Sequence, residues 1–140
     1  MKYTCGVFIE NENNEILIGH VTNSLDWSIP KGVVENNETY LDRAIIEVLE
    51  ETNIDLNLYI NGIIKIGEYQ YLNKKKTLIA FYIKLNNTKG LDIKCNSMVN
   101  SENYIFPEFD ELRWVNINKL NSYKLHLTQH LALNSIKGNY

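Results

Sequence analysis

No uninterrupted apolar stretch in the sequence approaches the roughly 18 residues that a membrane-spanning helix needs. The opening residues MKYTCGVFIE lack the long apolar core and small-residue cleavage site of a secretory leader. Only two cysteines occur, Cys5 and Cys95, too few for a disulfide framework, so two reduced thiols are expected. Basic residues are not in excess: 14 Lys and Arg stand against 17 Asp and Glu, a formal net charge of −3. That balance argues against a broad cationic face for duplex nucleic acid, and no stable nucleic-acid partner is expected. Neither an internal repeat nor a linker divides the chain. These absences point to a single cytoplasmic domain over residues 1–140, without membrane attachment.

What is present is ordinary globular composition, 44% apolar and 22% charged. A chain of this length buries roughly two-thirds of its unfolded surface and can fold alone. Tyr3–Ile9 and Glu15–Val21 read as strands around a polar turn at Asn11–Asn14. Trp27–Gly32 (WSIPKG) reads as a short extended piece, because Pro30 biases Ile29 away from helix. Thr39–Thr52 is the clearest helix, with Thr39 and Asp42 resembling a capping box and Asn53 as a C-terminal cap. Leu41, Ala44, Ile45, Val48 and Leu49 form its apolar stripe. Strands are expected over Gly62–Leu72 and Thr77–Leu85, with Asn73-Lys74-Lys75-Lys76 as a basic hairpin tip. A polar stretch follows, with a short strand near Tyr104–Phe106, then a strand at Glu111–Asn116. A turn of helix at Ile117–Leu120 and a helix over Leu125–Ile136 complete the chain.

Glu50 and Glu51 lie three and four residues after Glu47, so all three carboxylates share one helix face. Like charges at that spacing repel, and a divalent cation among them removes the repulsion. Oxygen-only ligation selects hard ions such as Mg2+ or Mn2+. The alternative is a solvated acidic face. The preceding loop favours the first reading. Lys31 offers charge for phosphate, and Gly32 at a tight loop lets backbone approach a ligand closely.

The segment from Gly32 through Glu38, Glu47, Glu50 and Glu51 to Ile54 resembles the Nudix box. That pattern is G, five residues, E, seven residues, then R-E-U-x-E-E-x-G-U, with U aliphatic. Seven of the nine specified positions match; Ile46 stands where the pattern has arginine and Asn53 where it has glycine. The WSIPKG lead-in and the ELRWV strand also fit, so the likeness spans roughly residues 3 to 120. It implies an α+β fold, an α/β/α sandwich about a central mixed β-sheet, and hydrolysis of a nucleoside diphosphate linked to another moiety. It also implies that Glu47, Glu50, Glu51 and the main-chain carbonyl of Lys31 hold Mg2+ or Mn2+. Glu38 would support the loop. The general base would be Glu51, Glu108 or Glu111. In the family the missing arginine orients the glutamates, and Arg43, four residues before Glu47, can reach the same carboxylate.

WSIPKG and the lysine-bearing hairpin resemble the dinucleoside tetraphosphate (Ap4A) hydrolase branch. Lys31, Gly32, Arg43, Tyr71, Lys74 and Lys76 are then the expected substrate-binding residues, and Trp27 lines a base pocket or anchors its strand. A purine can stack on Tyr69 or Tyr71, which share a sheet face. His126 and His130 read as ordinary helix residues. The partner expected is a small nucleotide, bound by a monomer or homodimer. The alternatives are an RNA 5′-pyrophosphohydrolase, an ADP-ribose or nucleotide-sugar pyrophosphatase, a nucleoside triphosphate pyrophosphatase, and a degenerate nucleotide-binding module.

Overall fold

Strand β1 (Lys2–Glu10) is apolar on both faces: Cys5, Val7 and Ile9 turn to one side and Phe8 to the other, all without solvent exposure. Strand β6 (Lys76–Lys84) alternates in the same way, Ile79, Phe81 and Ile83 against Leu78 and Ala80. The two run parallel, from Lys2 opposite Lys76 to Glu10 opposite Lys84. A parallel pair apolar on both faces has to be covered on both sides. Helix α1 (Tyr40–Thr52) covers one side with Ala44, Ile45 and Val48, and helix α2 (Leu127–Lys137) the other with Ala132, Leu133 and Ile136. Full burial of a side chain such as Val48 contributes about 1.5–3 kcal/mol.

This is the expected α+β sandwich about a mixed sheet, seen in a computed structural model that describes residues 1–138. The sheet runs β3 (Trp27–Ser28), β2 (Glu15–Val21), β1, β6, β5 (Ile64–Gln70). Strand β4 (Lys31–Val33) pairs with β1 and β9 (Phe109–Asn116) with β2. Every pair except β1 with β6 is antiparallel. Strands β7 (Met98–Ser101) and β8 (Tyr104–Pro107) form a separate hairpin. No helix among the described residues is long and apolar enough to cross a membrane.

The caps of α1 lie where the sequence puts them. The Thr39 hydroxyl accepts from the Asp42 amide at 3.0 Å, and Asn53 takes the left-handed conformation at φ 67°. The buried stripe is rolled relative to expectation: Leu49 is 42% exposed, while Arg43, Glu51 and Thr52 are buried. WSIPKG divides into β3 and β4 rather than one extended piece. A 3-10 segment at Leu56–Gly62 was not anticipated, so β5 begins at Ile64. Its start is capped by Asp55, whose carboxylate accepts from the Asn57 amide. Helix α2 begins at Leu127, not Leu125, because His126 caps it through its ring nitrogen.

Both cysteines are free thiols. Burial pushes the Cys5 thiol up to about 12, whereas Cys95 is half-buried and donates to the Ser97 carbonyl at 3.5 Å. Iodoacetamide in mildly alkaline buffer should therefore label folded protein once, at Cys95, and guanidinium-unfolded protein twice. Mass spectrometry of the intact chain reads the difference; rapid double labelling of folded protein would show that β1 is not the closed strand described.

Candidate active site

Strand β4 presses Gly32 against α1, and a Cβ on Gly32 would overlap the Glu47 carboxylate, so a side chain there would have to displace Glu47. No glycine has a positive φ. The position thus needs room, and what approaches its backbone is the Glu47 side chain rather than the ligand expected from sequence. Glu51, one turn beyond Glu47, is 1% exposed. Its Oε1 accepts from the Lys31 amide at 3.2 Å, and its Oε2 is buried without a hydrogen-bond partner. Burial, then the facing Glu47 carboxyl, then Glu108, push its carboxyl well above the usual range. Glu50 stands at the open edge of the cluster, raised by partial burial and then by Glu47.

The fourth acid arrives from the other end of the chain. Glu108, between β8 and β9, donates its amide to the Ser97 carbonyl at 2.9 Å and accepts from the Thr22 amide at 3.1 Å. Its Oε2 accepts from the Ser97 hydroxyl at 2.8 Å. Among the described residues no three His, Cys, Asp or Glu side chains are gathered into a ready-made cage. Mg2+ does not need one, since it keeps several waters and takes one or two carboxylates. A buried, orphaned carboxylate oxygen beside a second carboxylate, in an oxygen-only donor set, fits a hard divalent cation.

Arg43 was expected among the substrate-binding residues; its donors are spent elsewhere. Nε donates to Glu38 Oε2 at 2.9 Å, one terminal nitrogen to Glu47 Oε1 at 3.0 Å, and the other to Glu38 Oε1. The side chain is buried between two acids and does not line the cavity described below. Glu38 Oε2 also accepts from the Glu35 amide at 2.9 Å, so the 35–38 loop is tied to α1. The Arg43 guanidinium, then that amide, hold the Glu38 carboxyl below the usual range. Ile46, at the arginine position of the Nudix pattern, is 36% exposed. The cation absent there is supplied one turn earlier.

Beside the acids opens a cavity of about 590 Å³, bordered by Glu51, Glu108, Lys31, Lys76, Lys124, Trp27, Tyr71, Phe109 and His126, among others. Tyr71 stacks on His126 with ring centroids 4.2 Å apart, and the Lys76 ammonium lies 5.1 Å from the Tyr71 centroid. His126 Nδ1 accepts from the Thr128 amide at 3.1 Å. Partial burial, then Lys31 and Lys76, hold its imidazole below the usual range. The WSIPKG lead-in is anchored to α2: Gln129 accepts from the Ile29 amide at 3.0 Å and donates to the Ser28 hydroxyl at 3.1 Å.

Of the expected site residues, Lys31, Glu51, Glu108, Trp27, Tyr71 and Lys76 border the cavity, whereas Glu47 and Gly32 meet behind its wall and Glu50 is exposed outside it. The structure leaves Lys74 at the hairpin tip, outside the cavity wall, and Tyr69 bonded to Ser135 at 2.8 Å. Glu111 also lies outside the wall, where it accepts from Arg113 Nε at 2.8 Å. Of the two loop acids only Glu108 borders the cavity. Lys124, Phe109 and Gln129 were missed because no motif marks them, and His126 because its four-residue spacing from His130 suggested only a helix face.

The NUDIX domain family model matches residues 2–133, and the chain belongs to that family. It is a Nudix pyrophosphohydrolase, and such enzymes generally use divalent metals. Among curated proteins, an RNA pyrophosphohydrolase of Pelagibacter ubique is 26% identical over 87% of this chain and 83% of its own length. Among solved structures, a C. elegans Ap4A hydrolase binary complex superposes with a TM-score of 0.72 at 19% identity, over 99% of this chain and 96% of that one. The NUDIX domain of Shewanella oneidensis NrtR, complexed with ADP ribose, gives 0.73 at 8% identity, over 98% and 86%. At such identities the two structures establish the fold alone.

Two substitutions probe the cluster. Arg43→Ala, which leaves Glu38 and Glu47 without their cation, should lower turnover or metal affinity about 10- to 100-fold, the range for groups that orient ligands. Steady-state kinetics across a Mg2+ titration reads this, and unchanged values would show that Arg43 orients nothing. Gly32→Ala should displace Glu47 and cut activity at least as severely, while circular dichroism shows the fold retained.

Proposed function

We propose that this enzyme hydrolyses dinucleoside polyphosphates such as Ap4A, releasing a nucleoside triphosphate and a nucleoside monophosphate. The observation that carries this is the make-up of the cavity. An acidic protein places three lysines, Lys31, Lys76 and Lys124, around one space. The same space has carboxylates on one border and the aromatic rings of Trp27, Tyr71 and Phe109 on others. A long phosphate chain needs the cations, a purine needs the rings, and the reacting phosphorus needs the acids. The likeness in fold to a C. elegans Ap4A hydrolase supports the reading.

Glu47, Glu50 and Glu51, with the Lys31 carbonyl, would hold Mg2+ or Mn2+, the orphaned Glu51 oxygen gaining a partner. Bound there, the ion supplies a water of lowered pKa and neutralises charge on the phosphate oxygens. Lys31 and Lys76 take up the charge of the chain, and Trp27 and Tyr71 hold a base. Glu108, fixed through Ser97, serves as general base and accepts the proton of the attacking water. A second reading, removal of pyrophosphate from RNA 5′ ends, is favoured by the Pelagibacter ubique relative.

A substrate panel with Mg2+, resolved by product, separates them. Ap4A should give ATP and AMP with a higher kcat/KM than a 5′-triphosphorylated oligonucleotide gives pyrophosphate; the reverse order would install the second reading. Chelation should abolish activity and Mn2+ restore it. Glu108→Gln should lower kcat by about 10²- to 10⁴-fold with little change in KM. A small loss would return the base role to Glu51.

A further inference from the structure

Trp27 is held from outside the cavity by a cation whose direction is fixed. Across the sheet, His20 is registered with Trp27 on one side and Glu111 on the other, and Arg113 lies opposite Ile18. Because side chains alternate, His20, Trp27, Glu111 and Arg113 all project from one sheet face. The Arg113 guanidinium carbon sits 4.7 Å from the Trp27 ring centroid. Its edge is committed: Nε donates to Glu111 Oε2 at 2.8 Å, one terminal nitrogen is ion-paired to the same oxygen at 2.5 Å, and the other donates to the Tyr123 hydroxyl at 3.0 Å. Hydrogen bonds leave a guanidinium in its own plane, so the fork is directed at Glu111 and the Tyr123 hydroxyl while the guanidinium carbon lies over the indole and, at 5.8 Å, over the Tyr123 ring. Tyr123 and His20 add edge contacts to the same ring, each with centroids 5.2 Å away. None of Arg113, Tyr123 and His20 borders the cavity; Trp27 does.

A tryptophan attracts a cation through the negative potential of its π-system, and one cation already draws on it. A second positive charge, brought to the indole from the cavity, meets a ring polarised towards Arg113 and is repelled by Arg113 itself. A neutral purine suffers neither effect, because its stacking rests on dispersion and burial. We propose that Arg113 acts through Trp27 as a specificity-determining residue, making the cavity selective for nucleotides with uncharged bases and against those whose base is a cation, such as 7-methylguanine. This rests on the nucleotide reading of the cavity and narrows its substrate class.

Guanosine 5′-monophosphate and its 7-methyl derivative differ by one methyl group and one positive charge, and neither has an anhydride to hydrolyse. Calorimetric titration of the intact protein, in slightly acidic buffer with Mg2+, should give about 3- to 10-fold tighter binding of the unmethylated nucleotide, the span of one moderate cation–π contact. Arg113→Gln should bring the two affinities to near parity, chiefly by tightening the methylated ligand. Arg113→Lys keeps the charge and should keep most of the preference; thermal melts confirm that both variants fold. Equal or tighter binding of the methylated nucleotide by the native protein would overturn the proposal. So would an unchanged ratio in Arg113→Gln, or indistinguishable Gln and Lys variants, which would mean that Arg113 only packs. Failure of both nucleotides to bind would instead remove the nucleotide reading of the cavity, and this inference with it.

Discussion

The contact on which the site depends is the one between Glu47 and the bare backbone of Gly32. It brings β4 flush against α1 and carries the Glu47 carboxylate beneath the strand. Glu51 follows by helical geometry and is forced inside, where it meets the Lys31 amide on one oxygen and no hydrogen-bond donor on the other. Two facing carboxylates, one of them 1% exposed, are an arrangement that folding alone does not favour. Arg43 answers part of the charge from the Glu38 side, and the remainder is left directed at the cavity. Stability and chemistry are therefore set against each other across a single helical turn.

Much of this was legible beforehand, for identifiable reasons. Helix α1 announces itself through its period, its Thr39 cap and the asparagine at position 53. The strands announce themselves through alternation and β-branched residues, and the spacing from Gly32 to Ile54 is long enough to be specific. The roll of α1 was less accessible. Leu49 looks like a core residue and Glu51 like a surface one, yet tertiary contact with β4 reverses them. The β7–β8 hairpin gave only a partial signal, since both strands are largely exposed and have no apolar face to repeat. The cavity wall was hardest to foresee. Lys124, His126 and Gln129 gather at the start of α2, and Phe109 opens β9. Their meeting with Trp27 and Tyr71 is a product of topology, which no local pattern encodes.

Arg43 shows how a departure from a family pattern can be absorbed. Positions 43 and 46 are three apart and lie on neighbouring parts of the helix surface. A cation at 43 reaches forward one turn to Glu47 and back to Glu38, so the loop and the helix are joined by one planar group. Ile46 is then free to be a partly exposed aliphatic residue. Reading position 46 alone suggests carboxylates without a cation, whereas the contacts place one on Glu38 and Glu47 from position 43.

The parallel pairing of β1 with β6 bears on the order of events during synthesis. Strand β1 has antiparallel neighbours nearby in β2 and β4, but its parallel partner is not complete until Lys84 has been added. Until then one long edge of an almost wholly apolar segment is left open. Topologies closed by such distant contacts fold slowly, and an open apolar edge invites association with other chains. Strand β1 is thus the segment with most to gain from chaperone protection.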